Sequence, residues 1–144
     1  MNRRMPKILC VDDDPQDVCL LQAILIPRGY NVATALNGVE ALVTIRNERI
    51  DICLLDVMMP DMDGYEVCRR IKSGDHHIPV VMITSYADKE NRIRGIEAGA
   101  ENLISKPFDS AELLARIKML WRVKSLNDEI ESYLHKYVRK AMYS

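Results

Sequence analysis

Short apolar runs recur along the chain at intervals of roughly 20 to 27 residues: KILCV at 7–11, YNVATA at 30–35, DICLL at 51–55, IPVVMIT at 78–84 and NLIS at 102–105. Each is short, rich in Val, Ile and Leu, and bounded by turn-forming residues, which predicts five strands. Between them the apolar positions follow a helical period: Leu20, Leu21, Ile24 and Leu25 within 15–28; Val39, Leu42 and Ile45 within 38–48; Val67 and Ile71 within 64–73; Ile93 and Ile96 within 88–98. Strict alternation of strand and helix, with strands that are continuously apolar, predicts a doubly wound α/β fold. Its five-stranded parallel sheet is covered on both faces.

Punctuation supports these divisions. Gly29 and Gly99 close the first and fourth helices, while Asn37-Gly38 and Asp63-Gly64 open the second and third. Asp14 is placed to cap the first helix, and Asp109 to cap a last one starting near Ser110. No Gly or Pro follows Ser110, so that helix is expected to run to about residue 142, twice the length the fold requires. Its charge differs from the body's: residues 1–109 hold 13 Lys/Arg against 17 Asp/Glu, whereas 110–144 hold 7 against 4. The expected organisation is one domain over 1–120 and a helical extension over 121–144.

Composition narrows the class of protein without changing this picture. At 144 residues, 48% hydrophobic and 28% charged, the chain suits one well-packed core. The segment after MNRRMPK is too short for a signal-peptide core, and no apolar run approaches the ~20 residues of a membrane span. A cytoplasmic protein without membrane contact is expected. A formal net charge of −1 without a basic stripe argues against direct nucleic-acid binding. Cys10, Cys19, Cys53 and Cys68 are scattered singly in apolar segments and are read as reduced, buried hydrophobes. His76, His77 and His135 lie in polar stretches and are read as solvated surface residues.

The candidate chemistry follows the strands. The first run ends in Asp12-Asp13-Asp14, the third in Asp56, the fourth in Thr84-Ser85 and the fifth in Lys106-Pro107. In an open parallel sheet these carboxyl ends share one edge, where ligands bind at the topological switch point. The like charges of Asp12, Asp13 and Asp56 gathered there repel one another and call for a cation. Carboxylates without Cys or His nearby favour Mg²⁺. Lys106 offers a positive charge for a phosphate oxygen, and the Thr84 hydroxyl a donor for another. The expectation is a phosphoryl-handling site built without a glycine-rich loop.

VDDDP at 11–15, DVMMPDMDG at 56–64, TS at 84–85 and KPF at 106–108 together resemble the receiver domains of two-component signalling, over residues 7 to about 120. The resemblance implies a flavodoxin-like strand order 2-1-3-4-5. It implies Asp56 as phospho-acceptor, with Mg²⁺ held by Asp13, Asp56 and the Met58 backbone carbonyl, and by Asp12 through water. Thr84, next to Ser85, matches the switch hydroxyl. Lys106 matches the phosphate-binding lysine, preceding a peptide bond to Pro107 that is typically cis. Three positions before that lysine the family often carries an aromatic residue, where this chain has Leu103. A large aromatic swing is therefore not expected, and Tyr86 is a candidate substitute for readout. The implied partners are a sensor histidine kinase or phosphotransfer protein upstream and an effector domain or protein downstream. Such a module catalyses only its own phosphorylation and dephosphorylation.

Two enzyme-like rivals fail on sequence grounds. A Mg²⁺-dependent phosphatase with a strand-end nucleophile resembles D-x-D-x-T after the first strand, where this chain has DDDP and lacks an insertion for a substrate cap. A flavodoxin-like electron carrier needs a phosphate-binding loop where Asp12-Asp13-Asp14 would repel the phosphate. A receiver that docks without being phosphorylated is disfavoured because all the site positions are filled.

The extension carries a heptad pattern. Leu113, Leu120, Asn127, Leu134 and Ala141 form one row, and Arg116, Val123, Ile130 and Tyr137 its companion. With Leu113 and Ile117 used to cover the sheet, the free seam starts near Leu120 and spans about three heptads, a length marginal by itself. A parallel homodimer is expected, with Asn127 setting the register; a helix folded back on its own domain or a linker to an effector would present the same stripe. The flanking rows, Met119, Leu126 and Tyr133 against Lys124, Glu131 and Val138, show no charge complementarity.

Overall fold

The computed structural model describes residues 4–74 and 77–143. Five strands, β1 (Lys7–Val11), β2 (Asn31–Ala35), β3 (Ile52–Asp56), β4 (Val80–Thr84) and β5 (Asn102–Ser105), form one sheet. All pairs are parallel and the order is β2-β1-β3-β4-β5. The helices are α1 (Pro15–Leu25), α2 (Gly38–Asn47), α3 (Gly64–Lys72), α4 (Lys89–Ala98) and α5 (Ser110–Met142), with one 3₁₀ turn, Ile26–Arg28, after α1.

Period-two alternation along buried strands divides the core in two. Ile8, Cys10, Ile52, Leu54, Val81 and Ile83 face Leu21 and Leu25 of α1 and Leu113 and Ile117 of α5. Leu9, Val11, Cys53, Leu55, Val80 and Met82 face the other way, toward Ala41 of α2, Val67, Cys68 and Ile71 of α3, and Ala98 of α4. Four helices begin at the expected side-chain caps, Asp14, Asn37, Asp63 and Asp109, and α4 at Asp88, which the sequence reading does not single out; each accepts a backbone N–H from the first turn. Gly29 and Gly99 end their segments in the left-handed region, at φ 94° and 98°.

Several positions depart from expectation. Leu20, Val39, Ile93 and Ile96 are exposed, although their spacing suggested core faces. α4 instead meets the sheet through Gly95 and Ala98, because Leu103 and Met82 already fill the space beneath: a Cβ on Gly95 would touch both at 3.4 Å. Cys19 is exposed, on the outer side of α1, while Cys10, Cys53 and Cys68 are buried. β4 starts at Val80: Pro79 has no N–H to give the ladder, though its carbonyl accepts the Cys53 N–H of β3 at 2.9 Å. His77 and His135 are exposed, and His76 lies outside the described residues.

α5 runs unbroken past the sheet. Burial is complete at Leu113 and Ile117, partial at Leu120 and Trp121, and gone from Leu126 onward. Where the helix leaves the domain, the Arg4 guanidinium lies 5.1 Å from the Trp121 ring and donates to both oxygens of the buried Asp51 at 2.7 and 3.1 Å. No helix among the described residues is long and apolar enough to cross a membrane.

Candidate functional site

The carboxyl ends of β1, β3, β4 and β5 deliver Asp12-Asp13, Asp56, Thr84 and Lys106 to one edge of the sheet. One carboxylate oxygen from each of Asp12, Asp13 and Asp56 falls within a set whose members all lie within 4.8 Å of one another. Asp12 and Asp56 are buried and Asp13 is exposed, so the cluster opens to solvent on Asp13's side.

Lys106 ties these elements together. Its Nζ donates to Asp12 Oδ2 at 2.8 Å, to Asp17 Oδ2 at 3.0 Å and to Asp56 Oδ1 at 3.2 Å. Its backbone N–H donates to the Thr84 carbonyl at 2.8 Å, joining β5's end to β4's, and the Lys106-Pro107 bond is cis. Asp12 Oδ1 accepts the Asp14 N–H at 3.0 Å, which orients the carboxylate at the strand-to-helix turn.

One ammonium does not balance three or four carboxylates. Burial and the neighbouring Asp12 push the Asp56 carboxyl up to about 6, against the opposing pull of Lys106. Asp12 is raised too, chiefly by burial and only partly relieved by Lys106. Burial pushes the Lys106 ammonium down, but its bonds to Asp12 and Asp17 and the charge of Asp56 outweigh that and raise it well above the ordinary lysine value. The donor set is hard oxygen throughout, and among the described residues it is the one acidic cluster of this kind; both features fit a divalent cation such as Mg²⁺.

Thr84 is buried, and its Oγ1 accepts the Tyr86 N–H at 3.0 Å. Ser85 and Tyr86 are exposed at the start of the β4–α4 loop, Tyr86 by 60%. Leu103 is half-buried beneath α4, away from the carboxylates. Met58 lies two residues beyond Asp56 in the β3–α3 loop with an exposed side chain, so the backbone is what it can offer the site.

Two participants were not singled out from sequence. Asp17 reaches Lys106 from the first turn of α1, and the available signal was its place one turn beyond the Asp14 cap, facing the strand ends. Gly64 reads in sequence only as a helix opener, yet it packs directly on the Asp56 backbone and its N–H donates to the Val57 carbonyl at 2.8 Å.

Comparison with known proteins places this geometry. A family model described as the response regulator receiver domain matches residues 8–118. Response regulator PleD of Caulobacter vibrioides is 45% identical over 126 residues, covering 86% of this chain and 28% of that protein. The alkaline phosphatase synthesis transcriptional regulatory protein PhoP of Bacillus subtilis is 38% identical over 136 residues, covering 89% of this chain and 57% of that protein. The chain thus spans between roughly a quarter and somewhat over half the length of these curated relatives. Among solved structures, a CheY-like receiver domain protein from Methanospirillum hungatei superposes with a TM-score of 0.82 at 32% identity, covering 86% of this chain and 99% of that one. A BeF3-activated DrrB receiver domain gives 0.76 at 37% identity, covering 83% and 99%. The chain belongs to the response regulator receiver domain family of two-component signalling.

Proposed function

We propose that Asp56 accepts a phosphoryl group from the phosphohistidine of a sensor kinase or phosphotransfer protein, or from a small acyl phosphate. The observation that carries this reading is the meeting of three carboxylates within 4.8 Å, with Lys106 Nζ 3.2 Å from Asp56 Oδ1. An Asp56 carboxylate oxygen attacks phosphorus as the bond to the donor's imidazole nitrogen breaks, the imidazole departs with the electron pair, and an aspartyl phosphate forms. Asp13, Asp56 and the Met58 carbonyl would hold Mg²⁺, with Asp12 acting through water. When bound, the ion neutralises charge on the phosphoryl oxygens and on the carboxylates around them. Lys106 orients and neutralises a phosphoryl oxygen, and Asp17 and Asp12 hold Lys106 in place. The module's own catalysis is confined to gaining and losing this group.

Phosphorylation acts as a switch through Thr84. Its hydroxyl turns to donate to the phosphoryl group, and the chain from Ser85 and Tyr86 into α4 and β5 moves with it. Leu103 shifts little, because it stands where the family often carries the inward-turning aromatic, and it lies beside Met82 beneath Gly95 of α4. The output goes to a downstream effector domain or protein, and the module works without direct contact with nucleic acid or membrane, in the cytoplasm. We assign the receiver to residues 1–120 and a signalling helix to 121–144, paired with that of a second copy in a parallel homodimer through Leu120, Val123, Asn127, Ile130, Leu134 and Tyr137. All of these but Leu120 are exposed in the single chain.

The test is incorporation of acid-labile phosphate from an acyl-phosphate donor with and without Mg²⁺. Asp56→Asn abolishes labelling, and Asp13→Ala weakens Mg²⁺ binding, so that labelling needs a higher Mg²⁺ concentration. Undiminished labelling of Asp56→Asn overturns the assignment.

A further inference from the structure

At the end of the sheet opposite the carboxylates, α5 borders an open groove of about 520 Å³. Lys72, His77, Pro79 and Glu101 of the receiver form one wall. The other is α5 itself: the seam residues Leu120, Val123, Asn127 and Ile130, with Lys124 and Glu131 beside them. The seam that would hold a second helix therefore opens into a cleft against the receiver.

Much of the groove's charge is already satisfied within the chain. Lys72 pairs with Glu101 and donates to the Ile78 carbonyl at 2.9 Å, while Glu101 also accepts the Val80 N–H at 2.8 Å. Lys124, whose side chain is only 14% exposed, pairs with Asp128 at 3.2 Å. What remains for an incoming surface is the apolar lining of Pro79, the Lys72 and Lys124 stems and the seam residues, which suits apolar side chains better than charged ones.

In a parallel two-stranded coil the row preceding one seam position lies against the partner's row on the other flank. Here Met119, Leu126 and Tyr133 of one helix meet Lys124, Glu131 and Val138 of the other, a pairing without charge complementarity. Lys124 and Glu131 are also walls of the groove, so side chains laid beside them reach into it. Met119, Leu126 and Tyr133 are 61%, 52% and 67% exposed in the single chain. A seam of three heptads is marginal alone, and a stable pair needs on the order of 1,200 Å² or more of total buried surface, which contact with the receiver base would help to supply.

We propose that this groove is a docking site for a second copy of the chain, taking the partner's Leu126 and Met119 against Pro79 and His77. The homodimer then joins each helix to the other protomer's receiver as well as to the other helix. This rests on the parallel-dimer reading above.

The experiment mixes two full-length variants, His77→Cys and Leu126→Cys, each also carrying Cys19→Ser to remove the exposed native thiol, and treats them with a short bis-maleimide. A cross-linked heterodimer is expected from this mixture, and several-fold less from His77→Cys mixed with Ser132→Cys, whose thiol lies on the row turned away from the seam. Sedimentation of the unmodified chain separates the two levels of the claim. A monomer at tens of micromolar, with and without beryllofluoride, overturns the dimer and the groove together. A dimer whose His77→Cys and Leu126→Cys chains do not cross-link, or cross-link no better than the Ser132→Cys control, overturns the groove alone.

Discussion

A Cβ placed on Gly64 would stand 2.4 Å from the Asp56 carbonyl oxygen and 2.7 Å from the Val57 Cα. The start of α3 is pressed onto the backbone of the proposed phospho-acceptor, and both obstructing atoms are backbone, which cannot rotate aside. Gly64→Ala is expected to cost about 1–3 kcal/mol through overpacking and to slow phosphorylation by displacing Asp56. Gly74→Ala, where the nearest atom is 3.5 Å away, should stay within about 0.5 kcal/mol of the parent. Urea denaturation of both variants, with phosphate incorporation, checks the contrast.

Lys106 and Asp56 affect stability with opposite signs when no metal is bound. Lys106→Met leaves Asp12 and Asp56 facing each other without their shared ammonium, and is expected to lower stability by about 1–3 kcal/mol. Asp56→Asn removes one of three crowded carboxylates and is expected to raise it by about 1–3 kcal/mol, since the site disfavours the charged form. Mg²⁺ should shrink the second difference. Thermal unfolding in chelator and in excess Mg²⁺ measures both.

Asp51 carries the pH dependence away from the site. Burial pushes its carboxyl up, but the Arg4 hydrogen bonds, the Lys7 N–H and the charges of Arg4 and Arg49 more than reverse this and hold it below its ordinary 3.8. A carboxyl lowered by folding stabilises above its unfolded pKa and loses that contribution as pH falls through the folded value. Asp51→Asn is thus expected to cost about 1–3 kcal/mol at neutral pH, with the gap to the parent closing below about pH 4. Asp56, raised to about 6, contributes in the opposite sense between roughly pH 4 and 6, and this cancels in the comparison. Denaturation midpoints of the two proteins from pH 7 down to 3 test the sign.

The Tyr86 N–H donates to Thr84 Oγ1 at 3.0 Å, so turning that hydroxyl toward a phosphoryl group disturbs the β4–α4 loop directly. Beryllofluoride is expected to shift amide resonances from Ser85 through α4, with small changes at Leu103, and Thr84→Ala should confine the shifts to the loops around Asp12 and Asp56. Parent-protein shifts that never leave those loops contradict the switch.

Much of this was legible before the structure. Asp14, Asn37, Asp63 and Asp109 cap the helices they were read to open, because capping depends on only a few adjacent residues. The meeting of Asp12, Asp56, Thr84 and Lys106 follows from the alternation of strand and helix, since a parallel sheet sends all its carboxyl ends to one edge. What was not legible depends on tertiary neighbours. Ile93 and Ile96 have core-like spacing but face outward, because Leu103 and Met82 leave room under α4 only for Gly95 and Ala98. Cys19 resembles the other cysteines in its sequence surroundings, yet faces away from the sheet. Asp17 and Gly64 act through contacts 89 residues away in sequence, to Lys106, and across a loop, to Asp56.

The central claim, that Asp56 is the residue that takes the phosphoryl group, is tested most directly by trapping it. Protein treated with an acyl-phosphate donor and Mg²⁺ is reduced with borohydride, which converts an aspartyl phosphate to homoserine, and its peptides are sequenced by mass spectrometry. Homoserine is expected at position 56, and is expected to vanish when Mg²⁺ is chelated. Homoserine at Asp12, Asp13 or another aspartate, with position 56 unmodified, would contradict the account.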